Sequence, residues 1–185
     1  MESTHVLYNK YEPRLFEEVG LACDISNLIK PIVEEMGFRI VQVSLLEGKN
    51  IVLQILLERD DGSITLRDCE ELSKAIFPII DIENIIDGHY KVEISSPGID
   101  RPMVRKSDFI RWNGYVMECE VRSSSGDKQK FVGKIIGNNE VEFFLEKEKI
   151  KGEDADELHI AISFASLISA RLVITDELIR ASLNG

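Results

Sequence analysis

The chain has 185 residues and a mass of 21.0 kDa, enough for two small domains that each bury a modest core. Apolar residues make up 44% and charged residues 30%, and no apolar run reaches the roughly 18 to 20 residues of a membrane span, which excludes a helical membrane protein. A net charge of −11 argues against nonspecific grip on a phosphate backbone, which needs lysine and arginine in excess.

The opening stretch, MESTHVLYNKYEPRLFEEVG, has neither the basic and apolar regions of a secretory signal nor the arginine-rich bias of a transit peptide. It reads as an N-terminal extension, residues 1–20, of a cytoplasmic protein. An α/β domain is expected over 21–100. In DISNLIKPIVEEMG, Ile25, Leu28, Ile29, Ile32, Val33 and Met36 recur at helical spacing, with Asp24 or Ser26 as the cap and Gly37 as the stop. Pro31 predicts a kink or a nearby helix start. FRIVQVSLL and NIVLQILLE are β-branched runs that read as a hairpin. TLRDCEELSKAIFPII is a helix whose Thr65 and Asp68 have capping-box spacing, with Cys69, Leu72, Ile76 and Ile79 on one side and Pro78 limiting its end. YKVEIS alternates as a strand. The order α-β-β-α-β predicts a small sheet with two helices on one face.

Residues 101–185 have mostly strand periodicity. YVMECEV, KFVGKII, EVEFFL, LHIAIS and LISARL predict five short strands, with SSSGDK and GNN as turns, in a small closed β-barrel. The acidic segment 152–157 predicts a solvated loop. TDELIRASL predicts a short terminal helix capped by Thr175.

Few residues suggest chemistry. Cys23, Cys69 and Cys119, with His5, His89 and His159, are scattered without metal-ligand or disulfide spacing, and no phosphate-loop or dinucleotide fingerprint is present, so neither metal nor cofactor is expected. KVEISSPGIDRPM poses three options: a catalytic loop, a phosphate cradle or a hinge. Pro97 and Gly98 suit the two central positions of a type II turn, and Pro102 biases Arg101 toward extended backbone. Ser95 and Ser96 lack the glycines of a nucleophile elbow, and Asp100 has no partner carboxylate at a readable spacing. A stiff domain junction, with Asp100 pairing Arg101 or nearby amides, is the plainer account. Its competitor is a contact patch, because Arg101, Arg105, Lys106 and Arg111 gather beside Trp112 in an otherwise acidic chain. Cutting after Met103 leaves 10 basic and 19 acidic residues before it and 12 and 14 after it, so the first half carries −9 of the net charge.

VEISSPGIDRPM resembles the signature of the RimP family of bacterial ribosome maturation factors, and IKPIVEEMGFRIVQVSLL, SITLRDCEELSKAI and ISFASLISARLV resemble that family's flanking segments in the same order. The resemblance implies an N-terminal α/β domain and a C-terminal Sm-like or SH3-like barrel. It also implies a non-enzymatic factor assisting assembly of the small (30S) ribosomal subunit and incorporation of small-subunit protein twelve through the barrel. Possible ribosome contacts are then Arg105, Lys106, Arg111, Lys128, Lys130 and Lys134. Glu34, Glu35, Glu70 and Glu71 would attract a basic protein. Two other expectations compete: an Sm-like module binding single-stranded RNA outside ribosome assembly, and a hydrolase using Ser96, Asp100 and His89.

Overall fold

Ile25, Ile29 and Val33 recur every four residues, and in the computed structural model they are the fully buried stripe of the first helix. The structure describes residues 12–48, 50–147 and 159–183. They divide into two compact units: Glu17–Pro97 form one, and Glu12–Phe16 with Gly98 onward form the other. No helix among the described residues is long and apolar enough to cross a membrane.

The unit Glu17–Pro97 runs α1 (Leu21–Glu35), β1 (Arg39–Leu46), β2 (Ile51–Glu58), α2 (Leu66–Glu83), β3 (Tyr90–Ser95). Helix α1 starts after Gly20 rather than at Asp24 or Ser26, and Ser26 is buried inside it. Pro31 is exposed within the helix, so its ring meets solvent rather than a packed neighbour. Gly37 takes the left-handed φ of +83° that ends the helix, donating to Glu34 O at 3.1 Å, while Phe38 donates to Val33 O at 3.0 Å. Helix α2 passes through Pro78, also exposed, and stops at left-handed Asn84. Its buried positions are Leu72, Ile76 and Ile80, so Ile80 takes the place expected of Ile79.

Strands β1 and β2 pair antiparallel, and β2 and β3 pair parallel, with α2 as the crossover. A register shift between Ile40 and Gln42 explains why Ile40 and Val43, three apart, both enter the same core. Helix α1 packs on β1 and on α2, and α2 packs on β3, around one apolar cluster. The expected order and one-sided helix layer are both present.

The start of α2 is held by charge as well as geometry. Thr65 Oγ1 accepts from Asp68 N–H, and Asp68 accepts from Thr65 N–H at 2.8 Å and from both terminal nitrogens of Arg59 at 2.6 Å each. The Arg59 guanidinium, then Thr65, hold the Asp68 carboxyl well below its ordinary range. A depressed folded-state value means the contribution is present above the unfolded pKa of about 3.9 and is lost as pH falls toward the folded one. The difference in melting temperature between the native chain and Asp68→Asn is therefore expected to shrink as pH is lowered from 6 through 4 toward 2. A gap that stays constant would remove this role.

The other unit contains α3 (Lys106–Arg111), β4 (Val116–Arg122), β5 (Lys128–Asn138), β6 (Glu142–Glu146), β7 (His159–Ser163), β8 (Leu167–Leu172) and α4 (Asp176–Leu183). All five expected strands are present. Ser123 and Asp127 close the first turn at 2.8 Å, and Asn139 Oδ1 accepts from Val141 and Glu142 in the second. Thr175 Oγ1 caps α4 by accepting from Leu178 N–H.

Closure is where expectation and structure part. The strand order is β7-β6-β5-β4-β8, every neighbouring pair antiparallel, with β7 and β8 at opposite ends and no ladder between them among the described residues. The sheet is thus open in its backbone pairing among the described residues, and the 3-10 turn Phe164–Ser166 joins its two end strands. The core holds Phe109, Phe143 and Phe164, whose ring centroids lie 4.6 to 5.3 Å apart. Gly133 faces inward where an added Cβ would lie 2.8 Å from Glu146 O, so only glycine permits this approach of β5 to β6. The acidic segment 152–157 lies outside the described residues.

Candidate functional site

The segment Ser95–Pro102 begins as expected. Strand β3 stops at Ser95, and Gly98 adopts φ +76°, the left-handed value a Pro-Gly turn requires. The chain passes from one compact unit to the other between Pro97 and Gly98. Beyond the turn the backbone is knitted to β8: Leu172 N–H donates to Arg101 O at 3.1 Å, Met103 N–H donates to Ala170 O at 2.9 Å, and Pro102 bridges Arg171. Proline has no N–H to offer a further strand, which suits this edge position.

The expected Asp100–Arg101 pair is not formed. Arg101 is buried and meets Asp108, Nη2 to Oδ1 at 3.5 Å, within the same unit. Asp108 is fully buried, and its Oδ2 accepts from Val104 and Arg105 N–H, both at 2.9 Å. One carboxylate therefore sets the bend that leads into α3. Around it, Arg105 Nε donates to Glu12 O, Ser107 N–H donates to Glu12 Oε1 at 3.0 Å, and Leu15 N–H donates to Val104 O at 2.7 Å. Residues 12–16, expected as part of a bare extension, are in this way structural.

These contacts draw two of the four expected patch cations inside. Arg101 and Arg105 are interior. Lys106 donates to Glu140 O at 2.5 Å and lies 5.6 Å from the Phe164 ring centroid, and Arg111 stacks over Trp112 at 5.3 Å. Arg101 and Arg105 belong to a structural clasp, while Lys106 and Arg111 stay partly exposed.

Lys128, Lys130 and Lys134 are exposed on the outer face of β5. Lys130 pairs with Glu118 at 2.8 Å, Lys128 lies 3.9 Å from Glu120, and Glu118 also receives Arg171 at 2.8 Å. The two cations, Lys130 first, hold the Glu118 carboxyl below its usual range. Lys134 stands opposite Glu146 in the ladder. Val132 and Ile136, on the same face, are 50% and 40% exposed. A face of compensated charges with bare aliphatic groups suits protein contact better than a polyanion.

The residues of the hydrolase expectation do not converge. His89 precedes β3 whereas Ser96 and Asp100 follow it, and six extended residues span about 20 Å. Cys119 is also a poor nucleophile, since burial pushes its thiol up to about 12.

Asp108 and Glu12 are the organising residues that sequence reasoning missed. The signal was the spacing Arg105 to Asp108, the same three-residue step that identified Thr65 and Asp68 as a capping box. The family model described as the RimP N-terminal domain matches residues 28–100, from within α1 to the turn after β3. The α-β-β-α-β unit is thus similar to the RimP N-terminal domain over the matched residues.

Proposed function

We propose that this chain is a non-enzymatic cytoplasmic factor that binds an immature small (30S) ribosomal subunit and aids incorporation of small-subunit protein twelve. The observation that carries the reading is the RimP N-terminal domain at residues 28–100. Such a factor must bind an intermediate well and the finished particle poorly, so that completion releases it. The second unit is the proposed contact module, an Sm-like barrel in which side chains complete what backbone pairing leaves open. Ile162 of β7 and Leu172 of β8, from opposite ends of the strand order, enter one apolar cluster, which supports a curled sheet.

The outer face of β5 and its neighbours supplies the surface, with Val132, Ile136 and Lys134 as contacts to protein or to ribosomal RNA. The first unit supplies negative charge toward a basic protein, including Glu34, Glu35, Glu70 and Glu71. Glu70 and Glu71 are exposed on α2, paired with Lys74 at 2.7 Å and Arg67 at 3.0 Å. An independent single-stranded RNA module is less well supported, because Lys128 and Lys130 already face carboxylates.

Cells lacking the chain are expected to accumulate immature small subunits on a sucrose gradient, restored by the native gene. A normal profile would overturn the reading.

A further inference from the structure

The first sheet ends at β3, and among the described residues no strand pairs with its outer side. The layer beneath α2 is also unfinished there. Leu53 and Ile55 of β2 are fully buried, yet Val92 and Ile94, directly beside them in the ladder, are only partly buried. Tyr90, at the start of the strand, is likewise partly buried, and its ring lies 6.4 Å from Phe77 of α2, which is 45% exposed. Among the described residues the apolar face thus continues to an open backbone edge and stops without a further strand to cover it.

Lys91 and Glu93, the outward residues of β3, are exposed charges of the kind that discourage indiscriminate edge pairing. They leave the backbone groups of the edge available to a strand of matching charge.

Charge selects that strand. Asp81 of α2 lies close enough to act on the Tyr90 hydroxyl, Asp87 sits three residues before Tyr90, and both are exposed. Between Glu17 and Pro97 there are sixteen acidic and seven basic residues. An acidic or polyanionic segment would be repelled here; a basic one would be drawn in.

We infer that the open edge of β3 is a strand-addition site for an extended, basic segment of a partner protein, with alternate apolar side chains laid under α2 against Tyr90, Val92 and Ile94. The inference rests on the assembly reading only for the expectation that such a partner is a ribosomal protein. The site is distinct from the outer face of β5.

The test uses the full chain and a synthetic peptide alternating lysine and valine, long enough to span β3, followed by amide hydrogen exchange. Slower exchange of β3 amides on adding peptide is expected. Asp81→Lys combined with Asp87→Lys is expected to weaken binding about tenfold at low salt while leaving the circular dichroism unchanged. No change at β3, equal binding of the glutamate-valine counterpart, or displacement of the peptide by oligouridylate would overturn the proposal. The outcome is separable from the gradient experiment: an undisturbed β3 with immature subunits accumulating removes this site alone, and a protected β3 with a normal profile removes the assembly role alone.

Discussion

Asp108→Ala is expected to destabilise the second unit by about 3 to 5 kcal/mol, the range for removing one partner of a buried, hydrogen-bonded charge pair. The side chain is fully buried, and its loss leaves Val104 N–H and Arg105 N–H without their acceptor and removes the carboxylate opposite Arg101. Water cannot replace the carboxylate without entering the bend that leads into α3. Asp108→Asn keeps the shape and one amide oxygen but loses the charge opposite Arg101, so its cost should fall between those of alanine and the native residue. The measurement is convenient because Trp112 is the one tryptophan, and its backbone N–H donates to the Asp108 backbone carbonyl at 2.9 Å. Urea unfolding followed by tryptophan fluorescence therefore reports the unit in question rather than the whole chain. Glu118→Gln, partly exposed on the outer face, is the control and should cost no more than about 1 kcal/mol. If Asp108→Ala cost no more than the control, the carboxylate would not be what holds the clasp.

The contrast between Thr65–Asp68 and Arg105–Asp108 shows what local sequence carries. Both pairs have the same spacing and both begin a helix, but the first introduces eighteen helical residues with a clear apolar stripe, and the second introduces six. In so short a helix periodicity has no room to register, and Arg105, Lys106, Asp108 and Arg111 look like a solvated charge run. What encloses Arg105 and Asp108 comes from far away in the chain, including Glu12, 95 residues before the Ser107 amide from which it accepts. Local signals succeeded elsewhere for the same reason: Gly37, Gly98, the capping box and the five alternating strands depend on neighbours within a few positions. Pro78 failed because a proline ends a helix only when the lost hydrogen bond and the ring cannot be accommodated, and on the exposed side of α2 they are. Strand alternation, likewise, states which side chains face inward, and says nothing of whether the two end strands exchange backbone hydrogen bonds. The candidate surface is legible in composition but not in detail, since only the ladder register reveals that Lys130 and Arg171 share Glu118.

Glu58→Ala should cost the first unit a similar 3 to 5 kcal/mol, for a reason that a double variant can isolate. Arg39 and Glu58 face each other at the end of the β1–β2 ladder, with Nε and Nη2 of the arginine both donating to Oε1, at 3.0 and 2.8 Å. Their side chains are 6% and 0% exposed. Burying two ions is costly in itself, and their attraction only offsets that cost, so the pair contributes little net stability while either member alone is a large liability. Arg39→Met with Glu58→Leu, which fills the space with apolar atoms, should consequently be far less destabilised than the sum of the two single variants. Thermal unfolding followed by far-ultraviolet circular dichroism gives all four corners of the cycle. Strict additivity would mean that the two side chains stabilise the strand ends independently, and that the ion pair does not fix the β1–β2 register.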